Sequence, residues 1–360
     1  MGDSPANLMD FVASMGGERK LRVEENLGAG FVRLRVAEAE RRQAKHDIRC
    51  AEDAVVELLR NSRDAGAQRI FVATSRTGDL RTITVLDDGV GIPERMHERV
   101  FDARVTSKLD SMHMDRWGVH GRGMALFSIS ENAQSARVVA SGEGLGTALQ
   151  VVFDSGELPE RADQSTWPTV TFDDGGTPVV ANGPHNLVRT CCEFALEEHD
   201  TCDVYVGSAA EMVATIRRRV RPSADGTLPL FADDLLELGV LERVVVAGDA
   251  RELTEAASSV GLEISERTAH RIIAGEVRPT RSVYTRLVRP DRESEEAPID
   301  LARDRRTLHV SPEDRAGFAN VMEDAFSYLG ERYYLTLTAS PTVRVSRGKV
   351  TVTFEVTEPD

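Results

Sequence analysis

Three groups of residues in the first 150 positions have the types and spacing to do chemistry. Glu57, Asn61 and Asp64 fall at i, i+4 and i+7, so a helix would present all three in one direction, while Val55, Leu58, Leu59 and Ser62 mark another face. Such a row suits either a site or a solvated helix surface. The second group is Asp87-Asp88-Gly89-Val90-Gly91-Ile92. Its glycines allow the backbone to approach a flat ligand, and Asp87 can accept a hydrogen bond from an exocyclic amine; a plain Asp-Gly turn has the same letters. The third is Gly118-Val119-His120-Gly121-Arg122-Gly123-Met124-Ala125-Leu126. Glycines at a helix start leave amide N–H groups beside the positive end of the dipole, which is a phosphate site in waiting. It is not a P-loop, because no Gly-Lys-Ser/Thr follows.

The elements that must position these groups follow from periodicity. A helix is predicted over 53–65, an antiparallel hairpin from 69–74 and 81–86 around Thr77-Gly78-Asp79, and a helix from the third group through Ile129. The second hairpin strand runs straight into Asp87.

In order along the chain, Glu57 to Ala67, Asp87 to Ile92, Gly118 to Leu126 and Gly146-Thr147 resemble the four motifs of the GHKL ATPase superfamily, which includes gyrase B, heat-shock chaperones, sensor histidine kinases and MutL. The resemblance covers about residues 51–153. Glu57 to Ala67 and Thr106-Ser107-Lys108 look most like MutL; the glycine spacing from Gly118 to Ala125 looks more like a histidine kinase or a type IIB topoisomerase B subunit. The resemblance implies an α+β protein, with a two-layer α/β sandwich (the GHKL or Bergerat fold) followed by an α+β C-terminal region.

It also implies ATP and Mg2+ as cofactors. Glu57 resembles the general base that polarises the attacking water, and Asn61 the oxygen ligand of the metal. Asp87 resembles the acceptor of the adenine amine, with Gly89, Gly91 and Ile92 beside it and Thr147 as a second adenine contact. Asp64 and Ala65 complete the first motif. Gly118, Gly121, Arg122, Gly123 and Met124 resemble the phosphate cradle, and 102–117 its lid. Lys108 is one of only four lysines, with Lys20, Lys45 and Lys349, so its place in the lid suits phosphate binding. In hydrolysing relatives of the MutL and gyrase type, a lysine of the following domain reaches the γ-phosphate. No lysine lies between Lys108 and Lys349. His46, eleven residues before Glu57, leaves little room for the phosphoacceptor hairpin of a sensor kinase, and His113 and His120 lack a third metal partner.

The second half is less specific. Residues 257–261 followed by 265–272 resemble a helix-turn-helix, and Arg267 to Arg292 carries seven arginines against Glu276 and Asp291, a basic stretch that could touch DNA. A helical hairpin with solvated arginines fits equally. Arg217, Arg218, Arg219 and Arg221 form a second basic cluster. The expected division is an N-terminal arm 1–45, a nucleotide domain 46–155, an α/β domain 169–245, a helical segment 246–292 and an α+β segment 299–360, with a boundary near residue 155.

A net charge of −15 excludes a protein coated with basic surface. No apolar run reaches the length of a membrane span, and four cysteines without a C-x-x-C pair suit a reducing compartment, so a cytoplasmic protein with no membrane contact is expected. The resemblance implies an ATP-dependent homodimer, in which the arm 1–45 exchanges between subunits. The alternative is a DNA-binding regulator or scaffold in which ATP is a ligand that is not hydrolysed.

Overall fold

The computed structural model describes residues 23–36, 38–107, 113–115, 118–120, 123–160, 164–173, 175–221, 237–288, 312–346 and 349–357. The chain forms two compact units, Met1–Asp291 and Arg292–Asp360. In chain order the first contains β1 (Val23–Gly28), β2 (Phe31–Leu34), α1 (Glu38–Asp47), α2 (Ala51–Asp64), β3 (Arg69–Thr77), β4 (Leu80–Asp87), β5 (Val105–Thr106), β6 (His113–Asp115), β7 (Gly118–His120), α3 (Ala125–Asn132), β8 (Ser135–Ser141) and β9 (Thr147–Asp154). It continues with β10 (Thr169–Phe172), β11 (Pro178–Asn182), α4 (Leu187–Glu197), β12 (Asp203–Gly207), α5 (Ala209–Arg219), α6 (Val240–Val246), α7 (Ala250–Ser259), α8 (Glu266–Ile273) and α9 (Val283–Val288).

A mixed five-stranded sheet in the order β12-β3-β4-β9-β8 is the spine of this unit, giving an α+β architecture. Alternation along the strands assigns its two faces. Ile70, Val72, Ile83, Val85, Val151, Phe153, Val204 and Val206 point to one side, where Val55, Leu58 and Leu59 of α2, Ile129 of α3 and Cys191, Cys192 and Phe194 of α4 bury them. Phe71, Ala73, Leu86, Ala148 and Tyr205 point to the other, under Met212 and Ile216 of α5, Leu241 and Val244 of α6, Leu253 of α7 and Ile272 of α8. Residues 46–155 thus form the two expected layers, and residues 209–273 add a third.

The sheet runs across the expected boundary near residue 155. β12 pairs in parallel with β3, Val204 opposite Ile70 and Val206 opposite Val72, so the sheet continues across residue 155 into the later chain. Within the expected arm, residues 23–34 form the hairpin of β1 and β2, and β2 pairs with β5, Val32 opposite Thr106. Arg33 fastens it with a 2.5 Å ion pair to Asp102. The basic cluster at 217–221 is partly internal as well, since Arg217 donates to the carbonyls of Val244 and Ala247 at 2.9 and 2.8 Å, satisfying the C-terminal end of α6. Ser208 and Glu211 close a capping box at the start of α5. The four cysteines are buried and free.

The second unit contains α10 (Pro312–Tyr333), β13 (Thr336–Leu337), β14 (Thr342–Ser346), β15 (Lys349–Thr353) and β16 (Val356–Thr357). β14 and β15 form the expected antiparallel hairpin, and Phe326 of α10 stacks on Phe354 with ring centroids 5.1 Å apart. Among the described residues no helix is long and apolar enough to cross a membrane.

Candidate active site

A cleft of about 1000 Å3 opens along α2. The helix begins with acidic residues Glu52 and Asp53 in its first turn and rests its apolar stripe on the sheet, so the opposite row, Glu57, Asn61 and Asp64, faces the cleft. Ala65, just past the helix end, lines it too.

Asp87, the last residue of β4, lies at the buried end, opposite Thr147 of β9. Its Oδ2 accepts a hydrogen bond from Ser62 Oγ at 2.7 Å and its Oδ1 one from the Gly89 amide at 2.9 Å. A carboxylate has about four lone-pair sites, so these two bonds do not by themselves exclude a further donor entering the cleft. Ser62 counted in the sequence as part of the apolar face; it is buried there because Asp87 takes its hydroxyl. The neighbouring Asp88 turns away and accepts from the amides of Gln68 and Arg69, both at 2.8 Å, which fixes the loop behind β4.

The glycines of the second group make room for the chain itself. A Cβ on Gly89 would lie 2.8 Å from the Ala65 carbonyl oxygen, and one on Gly91, whose φ is +75°, would overlap the carbonyl of Gly142. Ser141 stitches this corner together: its hydroxyl receives the Ile92 amide at 2.7 Å, donates to Gly146 O at 2.7 Å and lies 3.2 Å from Thr147 Oγ1. No motif pointed to Ser141, which ends β8 after the apolar run Val138 to Ala140.

The far wall comes from the lid base and the start of α3. Gly123, Met124, Ala125 and Leu126 line the cleft with Arg104, Thr106 and Ser107. Arg104 is buried and has a φ of +63°, a region L side chains rarely adopt, and its amide donates to Gly123 O at 2.8 Å. Phe31 of β2 closes one side. Gly118 opens β7, opposite Asp115 of β6. Lys108, Gly121 and Arg122 lie outside the described residues.

Charge within the cleft is balanced locally. Glu57 is paired with Arg60, three residues on, and the arginine is the more deeply buried partner. Burial opposes the charge of Arg63, but hydrogen bonds to Glu198 and Asp64 hold its pKa above the usual arginine value. The Arg63 to Glu198 pair, 2.5 Å, ties the end of α2 to the residue after α4. Among the described residues no three His, Cys, Asp or Glu side chains converge as a metal cage. The oxygen donors of Glu57 and Asn61 fit a hard cation that takes its remaining ligands from phosphate and water.

In the basic stretch, α7 and α8 form two helices joined by 260–265, with Ala269 and Ile272 buried. Arg267 and Arg278 are exposed, Arg271 pairs with Glu276 at 3.2 Å, and the Arg286 guanidinium lies 3.6 Å from the centroid of Trp167. Arg289 and Arg292 lie outside the described residues.

With this geometry in place, comparison with known proteins defines the class. The family described as histidine kinase-, DNA gyrase B-, and HSP90-like ATPase matches residues 48–160, the segment that builds α2, the Asp87 corner and the start of α3. This segment is a GHKL ATPase domain. Within the superfamily it is MutL-like: over 108 residues the chain is 40% identical to the DNA mismatch repair protein MutL of Acidiphilium cryptum, covering 30% of this chain and 18% of that one. The corresponding protein of Aquifex pyrophilus is 37% identical over 105 residues, 28% and 24% of the two chains. That of Thermodesulfovibrio yellowstonii is 36% identical over 106 residues, 29% and 19%. The match therefore spans less than a quarter of each of these relatives.

Proposed function

We propose that the protein binds ATP in this cleft and hydrolyses it with Mg2+, using the nucleotide to switch its conformation and association. The observation that carries the reading is the Asp87 carboxylate, buried, pinned by Ser62 and Gly89, at one end of a cleft whose wall holds Glu57 and Asn61. Asp87 receives the adenine amine, Thr147 supplies a hydroxyl beside it, and the chain from Gly89 to Ile92 lies along the ring. Asn61 holds the metal, which when bound neutralises phosphate charge. Gly118, Gly121, Arg122, Gly123 and Met124 cradle the phosphates at the start of α3, and Lys108 reaches them from the lid. Asp64 and Ala65 hold the end of α2 against the nucleotide. Glu57 takes the proton of the attacking water; the rest of the chemistry is positioning.

The relatives are named DNA mismatch repair proteins, which supports a role on DNA, with the arginines of 267–292 as the contact and an ATP-dependent homodimer as the working form. The Glu57 to Arg60 pair favours a second reading, because a base held by an arginine is a poor one: a DNA-binding regulator or scaffold in which ATP is bound but not turned over. The test is ATP hydrolysis with Mg2+, with and without DNA, by wild type, Glu57→Ala and Asp87→Asn. Turnover lost in both variants supports the enzyme. ATP binding that Asp87→Asn abolishes, without turnover in the wild type, selects the second reading, and no ATP binding at all rejects both.

A further inference from the structure

Gly261, in the turn between α7 and α8, is anchored to the central sheet. It has a φ of +78°, and its carbonyl receives Thr84 Oγ1 of β4 at 3.1 Å and Gln150 Nε2 of β9 at 3.2 Å. A Cβ at this position would lie 3.2 to 3.3 Å from Val139, Gln150 and Thr84, so the turn sits directly on the strands. Leu253, Ala257, Leu262, Ala269 and Ile272 of the two helices and their turn are buried in the same core. The inner side of α8 is therefore held, and its outer side is left in water. Ser265 caps the helix, its hydroxyl accepting the Thr268 amide at 3.2 Å. Arg267, His270, Arg271 and Ala274 follow at i, i+3, i+4 and i+7, one outward row, and all four are exposed. Beyond α8 the Thr280 amide donates to Thr215 Oγ1 of α5 at 2.8 Å, which lays that segment along α5. Arg278, two residues before this contact, and Arg218, three residues along α5 from Thr215, are both exposed.

We propose that α8 reads base sequence from the major groove of duplex DNA, with Arg218 and Arg278 on the flanking phosphates. The inference rests on the DNA role proposed above and names how the DNA is recognised. Size permits it: the eight residues of α8 make a rod about 12 Å long, and a helix about 10–12 Å across enters a groove about 12 Å wide. The chemistry of the face selects bases over backbone. A surface that only holds phosphate needs cations alone, because every phosphate carries the same charge. The outer side of α8 is mixed instead. Arg267 offers paired donors, the match for guanine O6 and N7, and His270 stands one turn further on. Glu266 and Ile273 fall at i and i+7 and form the row beside them. The Glu266 carboxylate is repelled by phosphate but satisfied by the cytosine N4 amine, and Ile273, 42% exposed, is an apolar partner for a thymine methyl. Arg271 pairs with Glu276 at 3.2 Å in solvent, an ion pair weak enough to open for a ligand.

The experiment is selection of duplexes from a randomised DNA library by the full chain, without nucleotide and at physiological salt, followed by sequencing. One short enriched sequence is expected, bound on the order of 10³-fold more tightly than a shuffled duplex of the same composition. Arg267→Ala, a change at a solvent-exposed position, should cost about 5- to 150-fold on the enriched duplex and leave the shuffled one almost unchanged. Arg278→Ala should weaken both duplexes alike and lower the salt dependence by about one ion. Binding with no enriched sequence, or an Arg267→Ala variant that weakens both duplexes equally, would overturn the proposal and leave the DNA role standing. A wild type that binds no duplex at all would remove both.

Discussion

Ser62 on α2 and Asp87 at the end of β4, twenty-five residues apart, are joined by a 2.7 Å hydrogen bond in the buried end of the cleft. The bond couples the helix that carries Glu57 and Asn61 to the carboxylate that would recognise a base. It also predicts a graded response. Ser62→Ala should lower stability by about 1.5–3 kcal/mol, the range for a hydrogen bond to a charged group, and weaken ATP binding. Asp87→Asn should weaken ATP binding by about 10- to 100-fold, since its NH2 repels the donor it should receive. Calorimetric titration with ATP and urea unfolding would check both.

Glu57 and Arg60 make the opposite kind of pair, one that restrains. Glu57→Ala should reduce turnover by about 10²–10⁴-fold, the usual worth of a general base, while ATP still binds. Arg60→Gln should raise kcat several-fold by releasing the carboxylate, at a stability cost of about 1–3 kcal/mol. Steady-state kinetics reads the first effect and urea unfolding the second. A kcat unchanged in Arg60→Gln would show that the pair does not limit turnover.

Two substitutions at Arg104 isolate backbone strain. Arg104→Ala and Arg104→Gly both remove the guanidinium, but only glycine is at ease at a φ of +63°. The glycine variant should therefore be the more stable of the two by about 1 kcal/mol, read by chemical denaturation.

Gly91→Ala should be far more damaging than the size of a methyl group suggests. Its Cβ overlaps the Gly142 carbonyl at a positive φ, so the corner stitched by Ser141 must open. A loss of about 3 kcal/mol or more is expected, with ATP binding lost alongside it.

Stability in acid should depend on Glu160. Hydrogen bonds from Arg81, at 2.6 and 2.9 Å, hold its pKa below the ordinary value of 4.5 against the opposing effect of burial. A depressed carboxylate contributes stability that is complete above its unfolded pKa and disappears as pH falls through the folded one. Glu160→Gln should therefore be less stable than wild type at neutral pH and converge with it well below pH 4.5. Thermal unfolding across that window is the measurement.

The local elements of the cleft were legible because each has a period or a turn of its own: the α2 stripe, the hairpin of β3 and β4 and the turn from Asp87 to Ile92 lie where spacing puts them. The pairings that complete the unit have no such signature. Nothing local to 203–207 says that its partner is 69–73, and the hairpin at 23–34 reads as an arm until Val32 meets Thr106. Buried polar residues were the hardest to interpret. Thr84 and Gln150 look like solvent positions of a two-layer sheet, yet both donate to the Gly261 carbonyl, at 3.1 and 3.2 Å, beneath the third layer. Ser62 and Ser141 likewise took their meaning from distant partners, Asp87 and Ile92.

The parallel pairing of β12 with β3 has a consequence for biosynthesis. When a ribosome has released residue 160, every motif of the ATPase segment has been made, but β3 is still an open edge and Phe71, Leu86 and Ala148 are still wet. Such an edge is a template for other chains. A fragment cut at the family boundary should aggregate, and the nascent protein must wait for β12 and for α5 to α8 before β3 and its outer face are safe.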